Sequence, residues 1–265
     1  MKTRILRSTV ILSACLFGLA CLVIDAPARA QSTGGADELR ALVTLGVGPA
    51  IGARSIDLPA RQGKLELDTG IHAALDFALS LGVERGRWSL CASAEYRSSL
   101  FLRTEPSLLS DEAGRAAFRS HSLYAGVVPG YRFSAAGMSM RATLFVGWTA
   151  RAIRTVAQLA VPNYSLHGIV LRPELQIALL EQWLAVRAGP ELGVILLESR
   201  ELRDVLGSAP PGLVLGAALG LELRVTEGMQ ILAGYQLAYT TQRSQWHSRF
   251  VDLEHFAHAR FELRY

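Results

Sequence analysis

Two carboxylate–histidine pairs are the residues of this chain best suited to acid–base chemistry. Asp68 precedes His72 by four residues, and Glu254 precedes His258 by the same spacing. In an extended strand an even spacing places both members of a pair on one face. A carboxylate that orients an imidazole could activate a water for hydrolysis, so these four residues are the candidates for a catalytic site. Histidines in a wet interior more often only form hydrogen bonds, and we expect no enzymatic activity.

The sequence shows no signature of a metal, a cofactor or a nucleic-acid partner. No cysteines and histidines have metal-ligand spacing, and no glycine-rich phosphate loop opens a helix. The chain has 27 basic and 23 acidic residues, and four of the basic ones and one acidic one lie within residues 1–30. The formal charge of the remainder is therefore +1, which gives no reason to expect nucleic acid as a partner.

β-Strands must position these residues, because apolar side chains recur at every second position rather than at helical spacing. At the C-terminus Leu253, Phe261, Leu263 and Tyr265 share one face, and charged residues occupy the other. One apolar and one polar face are what a strand between lipid and a polar interior requires. Ten such strands are predicted, near 38–48, 67–84, 88–103, 120–133, 138–153, 167–179, 183–196, 212–225, 229–241 and 251–265. A barrel of eight or twelve strands is the alternative.

Short and long connections alternate between these strands. The tight turns are 85–87, 134–137, 180–182 and 226–228, and the long links are 49–66, 104–119, 154–166, 197–211 and 242–250. This alternation predicts an all-β fold, a single up-and-down antiparallel transmembrane β-barrel of about ten strands with its apolar face outward. The link 104–119 is expected to be locally helical, and the long links could contact lipopolysaccharide, another cell or a ligand.

The N-terminus predicts export. Basic residues precede an apolar stretch from about Val10 to Ile24, and Ala28-Arg29-Ala30 has the pattern of a cleavage site. We therefore assign residues 1–30 to a signal peptide and residues 31–265 to one barrel domain. The segment ending in Cys15 also has the form of a lipoprotein box, which is the alternative. Beyond residue 30 no apolar run approaches the 18 or so residues of a transmembrane helix, although half the chain is apolar.

Aromatic residues at the strand ends complete this pattern. Rings at both ends of the strands are expected at the membrane interfaces, namely Trp88, Tyr131, Phe133, Trp148, Trp183, Tyr239 and Tyr265. Together with the export signal and the alternating strands, the terminal Phe261-Glu262-Leu263-Arg264-Tyr265 resembles that of Gram-negative outer-membrane β-barrel proteins. The resemblance implies integral residence in the outer membrane, contact with its lipid and lipopolysaccharide, and recognition of Phe261, Leu263 and Tyr265 by the outer-membrane assembly machinery. It implies no particular activity.

The polar faces of the predicted strands define a charged lumen. Its predicted network contains Glu95, Arg97, Arg141, Arg151, Arg172, Glu174, Arg187, Glu191, Glu222 and Arg224. Because buried charges are retained when they are paired, same-strand neighbours of opposite sign predict arginine–carboxylate networks that largely fill a narrow barrel. The main alternative is a porin-like channel with a charged constriction that passes small solutes.

Two further interpretations remain open. The Asp68, His72, Glu254 and His258 pairs would lie at the rim if the last strand closes against the first, and this is loosely similar to the omptin proteases. The chain lacks an omptin motif, so a rim protease or lipid A hydrolase is a second alternative. A soluble ligand-binding barrel of lipocalin type would instead need its apolar stripes turned inward. Substrate and oligomeric state do not follow from these residues.

Overall fold

A computed structural model describes residues 38–60, 63–100, 102–103, 117–155, 163–180, 183–207, 211–244 and 249–265. Their strands are β1 (Leu39–Ala60), β2 (Gly63–Asp68), β3 (His72–Arg85), β4 (Trp88–Ser99), β5 (Leu102–Arg103), β6 (Ala117–Ala135), β7 (Met138–Thr155), β8 (Tyr164–Leu180), β9 (Leu184–Glu198), β10 (Gly212–Thr226), β11 (Met229–Arg243) and β12 (Arg249–Arg264). One helix, α1, spans Arg200–Leu206. The predicted signal peptide at 1–30 lies outside the described residues.

The strands close into one antiparallel barrel. Each barrel strand pairs with its neighbours in the sequence, and β1 also pairs with β12, where Thr44 faces Arg264 and Asp57 faces Val251. The short strands β2 and β5 pair with β1 and β6 and extend the barrel strands of β3 and β4, so the barrel has ten strands. The predicted ten-stranded up-and-down topology is confirmed.

The outer surface of the barrel is apolar. On β10 the side chains of Leu213, Leu215, Leu219, Leu221 and Leu223 are all between 46% and 58% exposed. On the same strand Val214 is fully buried and Glu222 is 6% exposed. Continuous exposed leucine would be costly in water but is favourable against lipid tails, so the predicted outward apolar face and outer-membrane-barrel architecture are confirmed.

Of the predicted long links, 49–66 is wrong, and 197–211 is a link that contains a helix not predicted from the sequence. Residues 49–60 continue β1 and pair with β2, so 49–66 is mostly a strand hairpin. The link 197–211 contains α1, whose N-cap Ser199 accepts a hydrogen bond from Leu202 N–H. The predicted helical part of 104–119 lies outside the described residues up to 116, as do 156–162 and 245–248 in the other long links.

We call the end of the barrel with the tight turns the short-turn end and the opposite one the long-loop end. Toward the long-loop end the inner face of the barrel becomes apolar, which the sequence analysis did not predict. Its buried side chains form an inner apolar cluster of Ile56, Leu58, Tyr124, Phe145, Ile153, Tyr164, Leu166, Val170, Ile195, Leu202, Leu206, Val214 and Phe250. Leu202 and Leu206 come from α1, so the helix packs its apolar side on the barrel.

Glycine permits close contact between neighbouring strands. A Cβ atom added to Gly48 would lie 1.9 Å from the carbonyl oxygen of Ala259 in β12. A Cβ atom at Gly46 would lie 2.8 Å from the side chain of Arg260. Gly46 therefore leaves room for the arginine side chain, and Gly48 permits the close approach of the β12 backbone.

Candidate functional site

The lumen is the candidate functional site, because it concentrates the polar side chains of the barrel. Its charges lie at three levels between the long-loop end and the short-turn end. The level nearest the long-loop end centres on Arg54 of β1 and Asp252 of β12, whose side chains are 0% exposed. The Arg54 guanidinium donates two hydrogen bonds to the Asp252 carboxylate, and one of them, from Nε, spans 2.7 Å. Ser120 and Tyr164 also contact Arg54, so this ion pair is fully enclosed across the seam that closes the barrel.

At the middle level a chain of hydrogen bonds crosses the lumen. Arg151 donates to Glu191 over 3.0 Å and to the Tyr124 hydroxyl over 2.8 Å. Gln236 donates to the other oxygen of Glu191 over 2.8 Å and accepts from Arg97 over 2.6 Å. This sequence of donors and acceptors joins β7, β9, β11 and β4, which hold opposite sides of the barrel.

The chain of bonds continues toward the short-turn end through Asp76. Arg97 and Arg260 each donate to one oxygen of the Asp76 carboxylate, over 3.2 and 3.1 Å. Arg260 also binds Glu262, which accepts a further bond from Gln230. We call Arg151, Glu191, Gln236, Arg97, Asp76 and Arg260 the charge layer. Its carboxylates are 1% exposed or less, since every oxygen is covered by a donor or by the barrel wall.

Below the charge layer the lumen holds a cavity of about 250 Å³ toward the short-turn end. Its charged lining consists of Glu95, Arg97, Arg132, Arg141, Arg172, Glu174, Arg187, Glu222, His258, Arg260, Glu262 and Arg264. Near this end the side chains of Arg132 and Arg264 are 50% and 32% exposed, whereas those of Asp76 and Arg151 are not exposed. The lumen is therefore accessible to water in one half and closed in the other.

The predicted ion-pair partners on single strands are not the partners that form. Arg172 binds Glu95 over 3.1 Å rather than Glu174 of its own strand. Glu191 binds Arg151 rather than Arg187 of its own strand. Arg187 lies 3.9 Å from Glu174, and Glu222 accepts from Arg264 of β12. A same-strand pair does form between Arg260 and Glu262 of β12. The predicted pairs instead find partners on other strands, because long arginine side chains from different strands can meet across the lumen.

The prediction that these networks largely fill the lumen is wrong, because the cavity remains on the short-turn side. Arg141 lines it and donates to Ser89 over 2.9 Å. Arg224, the last member of the predicted network, lies next to the short turn on β10 and is half-buried. The charges thus close the barrel at one level and leave space at another.

The carboxylate–histidine pairs at the rim do not form catalytic dyads. Asp68 is exposed and accepts a hydrogen bond from Gly70 N–H, while His72 is buried beside Thr69 and the Gly70 carbonyl. Glu254 accepts from Ser122 over 3.4 Å. His258 lies closer to the short-turn end, in the lining of the cavity. Neither of its ring nitrogens has a hydrogen-bond partner among the described residues. None of the imidazoles is therefore hydrogen-bonded to its proposed carboxylate.

The predicted interface aromatics occupy both ends of the apolar surface. At the short-turn end Trp88 is 4.6 Å from Tyr131 between ring centroids, and Tyr131 stacks on Phe133. Trp183 and Tyr265 are exposed at the same end. Trp148 lies toward the long-loop end beside His167, and Tyr239 faces Leu253 of β12. Phe261 and Leu263 of the C-terminal strand are exposed on the outer face.

Comparison with known proteins finds neither a matching family model nor a matching curated protein. Among solved structures the chain is similar to the outer membrane protease OmpT from Escherichia coli, with 8% identity, 89% of this chain and 99% of that chain covered, and a TM-score of 0.47. It is also similar to the translocator domain of the autotransporter NalP from Neisseria meningitidis, with 13% identity, 97% of each chain covered and a TM-score of 0.40. A third is the attachment invasion locus protein Ail of Yersinia pestis, at 10% identity, 83% and 99% coverage and a TM-score of 0.31.

The likenesses are too distant to assign an activity, so the function has to be argued from the lumen itself. Among the described residues, no three His, Cys, Asp or Glu side chains are grouped so as to hold a metal ion. The helix in the described part of the chain is too short to cross a membrane.

Two important lumen residues were missed by the sequence analysis. Arg54 was assigned to a loop, because the apolar positions around it, Ile56 and Leu58, change from the outer to the inner face. Asp252 was placed on the polar face of the last strand but without a partner. No sequence signal marks Arg54, because the buried positions 50, 52, 54, 56 and 58 hold both polar and apolar residues.

Proposed function

We propose that this protein is an integral outer-membrane barrel without catalytic activity, whose lumen forms a binding vestibule open to the periplasm. The short-turn end faces the periplasm in this proposal, because short turns are periplasmic in bacterial outer-membrane barrels. The vestibule is the cavity of about 250 Å³, and the charge layer separates it from the long-loop end.

The observation that carries the proposal is the difference in exposure between the two halves of the lumen. Lining residues such as Arg187 and Glu174 are 24% and 30% exposed, whereas Arg54, Asp252 and Asp76 are enclosed. The inner apolar cluster adds a second barrier toward the long-loop end, since ions lose their hydration there. A small polar solute thus has access from one side.

A native cysteine allows this arrangement to be tested directly. Cys91 is a free thiol that lines the cavity and is 9% exposed, and the other two cysteines of the sequence are Cys15 and Cys21. The full chain with Cys15→Ser and Cys21→Ser would be reconstituted into liposomes and planar bilayers. A small hydrophilic methanethiosulfonate reagent should label Cys91, and the same protein should carry no steady ion current.

Each combination of results has a distinct meaning. Labelling without current supports the vestibule, and absence of labelling contradicts it. Labelling together with steady current favours the second candidate, a narrow channel for small solutes. The channel is worth testing because Arg97, Arg151, Arg260 and Gln236 of the charge layer have long side chains that can change rotamer. In a channel, charge reversal at Arg97 should alter the current.

The partners proposed for the protein follow from its outer surface. We propose that lipid tails cover the leucine-rich band and that lipopolysaccharide surrounds the long-loop end. The exposed Phe261, Leu263 and Tyr265 of the last strand are available to the outer-membrane assembly machinery before the barrel closes. Replacing Tyr265 and Phe261 together by alanine should lower the amount of assembled protein in the outer membrane, as measured by membrane fractionation and blotting.

A further inference from the structure

One arginine of the vestibule lacks the partner that the others have. Six arginines of the cavity lining form ion pairs, each with a lumen carboxylate: Arg97 with Asp76, Arg132 with Glu84, Arg172 with Glu95, Arg187 with Glu174, Arg260 with Glu262 and Arg264 with Glu222. Arg141 also lines the cavity, yet no carboxylate of the described residues lies within ion-pair distance of it. Its Nε–H has no hydrogen-bond partner in the described part of the chain.

The surroundings of Arg141 add positive charge. The strand register places Arg132 of β6 directly opposite Arg141 of β7, and Arg264 lines the same cavity. Like charges on facing strand positions destabilise a sheet unless something neutralises them. His258, whose ring nitrogens also have no partner among the described residues, lines this cavity as well.

The unpaired Nε–H of Arg141 indicates the chemistry of the missing partner. A half-buried guanidinium with an unused Nε–H is costly, and an anion in the cavity would remove that cost. The planar guanidinium matches an oxyanion, which can accept from two of its nitrogens at once, better than it matches a monatomic ion. The Ser89 hydroxyl, already in contact with Arg141 at 2.9 Å, is positioned to provide a further hydrogen bond.

We propose that the vestibule binds a small oxyanion of the phosphate class, with Arg141 as its anchor and Ser89 beside it. The inference rests on the proposed function, because the anion must enter the cavity from the periplasmic side. The volume of about 250 Å³ is adequate, since a water molecule in the liquid occupies roughly 30 Å³. The charges of the lining favour an anion over a cation, because the four carboxylates that line the cavity, Glu95, Glu174, Glu222 and Glu262, each form an ion pair.

Titration with inorganic phosphate tests the proposal. The full-length protein, folded in detergent micelles and in phosphate-free buffer, would be titrated by isothermal calorimetry. We expect saturable binding to the wild type and an affinity at least tenfold weaker in Arg141→Gln. Arg154→Gln is the matched control, because Arg154 is exposed near the long-loop end and its loss changes the net charge equally. The affinity of this control should stay within twofold of the wild type.

Further variants separate an oxyanion site from general charge. Arg141→Lys keeps the charge but loses the planar fork, so phosphate binding should weaken while any binding of chloride is unchanged. Mobility on unheated gels establishes that each variant is folded, and phosphorus NMR line broadening with the wild type alone gives a test that requires no variant. Absence of phosphate binding by the wild type, or equal affinity in Arg141→Gln and Arg154→Gln, overturns the proposal.

The labelling and titration experiments together distinguish the two proposals. If Cys91 is labelled but phosphate does not bind, the vestibule exists and the oxyanion site does not. If Cys91 is not labelled, the vestibule itself is contradicted.

Discussion

At the scale of single residues, the Arg54–Asp252 pair is the most enclosed charge interaction of the barrel. Both side chains are 0% exposed, and they come from the first and last barrel strands. Removing two charges from water costs several kcal/mol for each ion, and the pair is retained because the hydrogen bonds of Ser120 and Tyr164 satisfy its remaining polar atoms. The pair therefore stabilises one particular way of closing the barrel.

Substitution of one member of this pair should be strongly destabilising. Arg54→Met leaves Asp252 buried without a cation, and we expect a loss of about 3–5 kcal/mol in the free energy of unfolding. Urea unfolding in lipid vesicles, followed by tryptophan fluorescence, measures it. The double variant Arg54→Met with Asp252→Leu should recover most of the loss. Arg200→Ala, which removes an exposed ion pair with Asp204 on α1, should change stability by less than about 1 kcal/mol.

Equal losses in the single and double variants would contradict this account. Such a result would mean that the loss of stability comes from altered side-chain packing rather than from a buried charge without a partner.

At the scale of elements, α1 anchors the segment between β9 and β10, because its leucines pack in the inner apolar cluster. Its seven residues are too few for independent stability, but Leu202 and Leu206 are fully buried and Ser199 caps its first turn. The spacing of four between these leucines places them on one face. The sequence analysis assigned this segment only to a long link, because two leucines are too short a pattern to identify a helix against charged neighbours.

Truncation of a buried leucine in this helix should loosen the long-loop end of the barrel. Leu206→Ala is expected to cost about 2–5 kcal/mol, because it removes apolar contacts and leaves a cavity. Limited proteolysis of the reconstituted protein should then cut within 197–211 faster than in the wild type. Leu197→Ala is the control, since Leu197 is 55% exposed and its truncation should be nearly neutral. Unchanged cleavage in Leu206→Ala would show that α1 does not depend on this contact.

At the scale of the whole molecule, the outer and inner faces of the barrel differ in polarity because they lie in different environments. Outward leucines form the apolar surface, inward charges pair with each other or line the cavity, and inward apolar residues meet at the long-loop end. This arrangement makes the cost of a charge on the outer face depend on its depth in the bilayer.

A pair of arginine substitutions on β10 tests this depth dependence. Leu219 lies near the middle of the strand, and Leu223 lies closer to the short-turn end. Leu219→Arg should cost about 2–4 kcal/mol at the bilayer midplane, and Leu223→Arg should cost less because its side chain can reach the interface. Unfolding free energies in vesicles of defined thickness provide the measurement. Equal costs at both positions would contradict the proposed position of the barrel in the membrane.

Much of the fold was predictable because alternation is a local property. The outward set of β3, which includes Leu75, Phe77 and Val83, is exposed as predicted, and the strand number was correct. Alternation failed as a guide where the apolar set changed from the outer to the inner face, at Ile56 and Leu58 of β1. Toward the long-loop end the inward face is itself apolar, so the same period of two carries the opposite meaning there.

The amino-acid sequence by itself determined the strand type, the closed antiparallel order and the face that meets lipid, because each depends on the period of neighbouring residues. Only the tertiary structure decided which charges pair. Arg172 reaches Glu95 on a distant strand, and Arg141 remains beside Ser89 without a carboxylate, because contacts across a lumen depend on barrel curvature and register. Curvature and register are set by all ten strands together, and no single segment of the chain contains them.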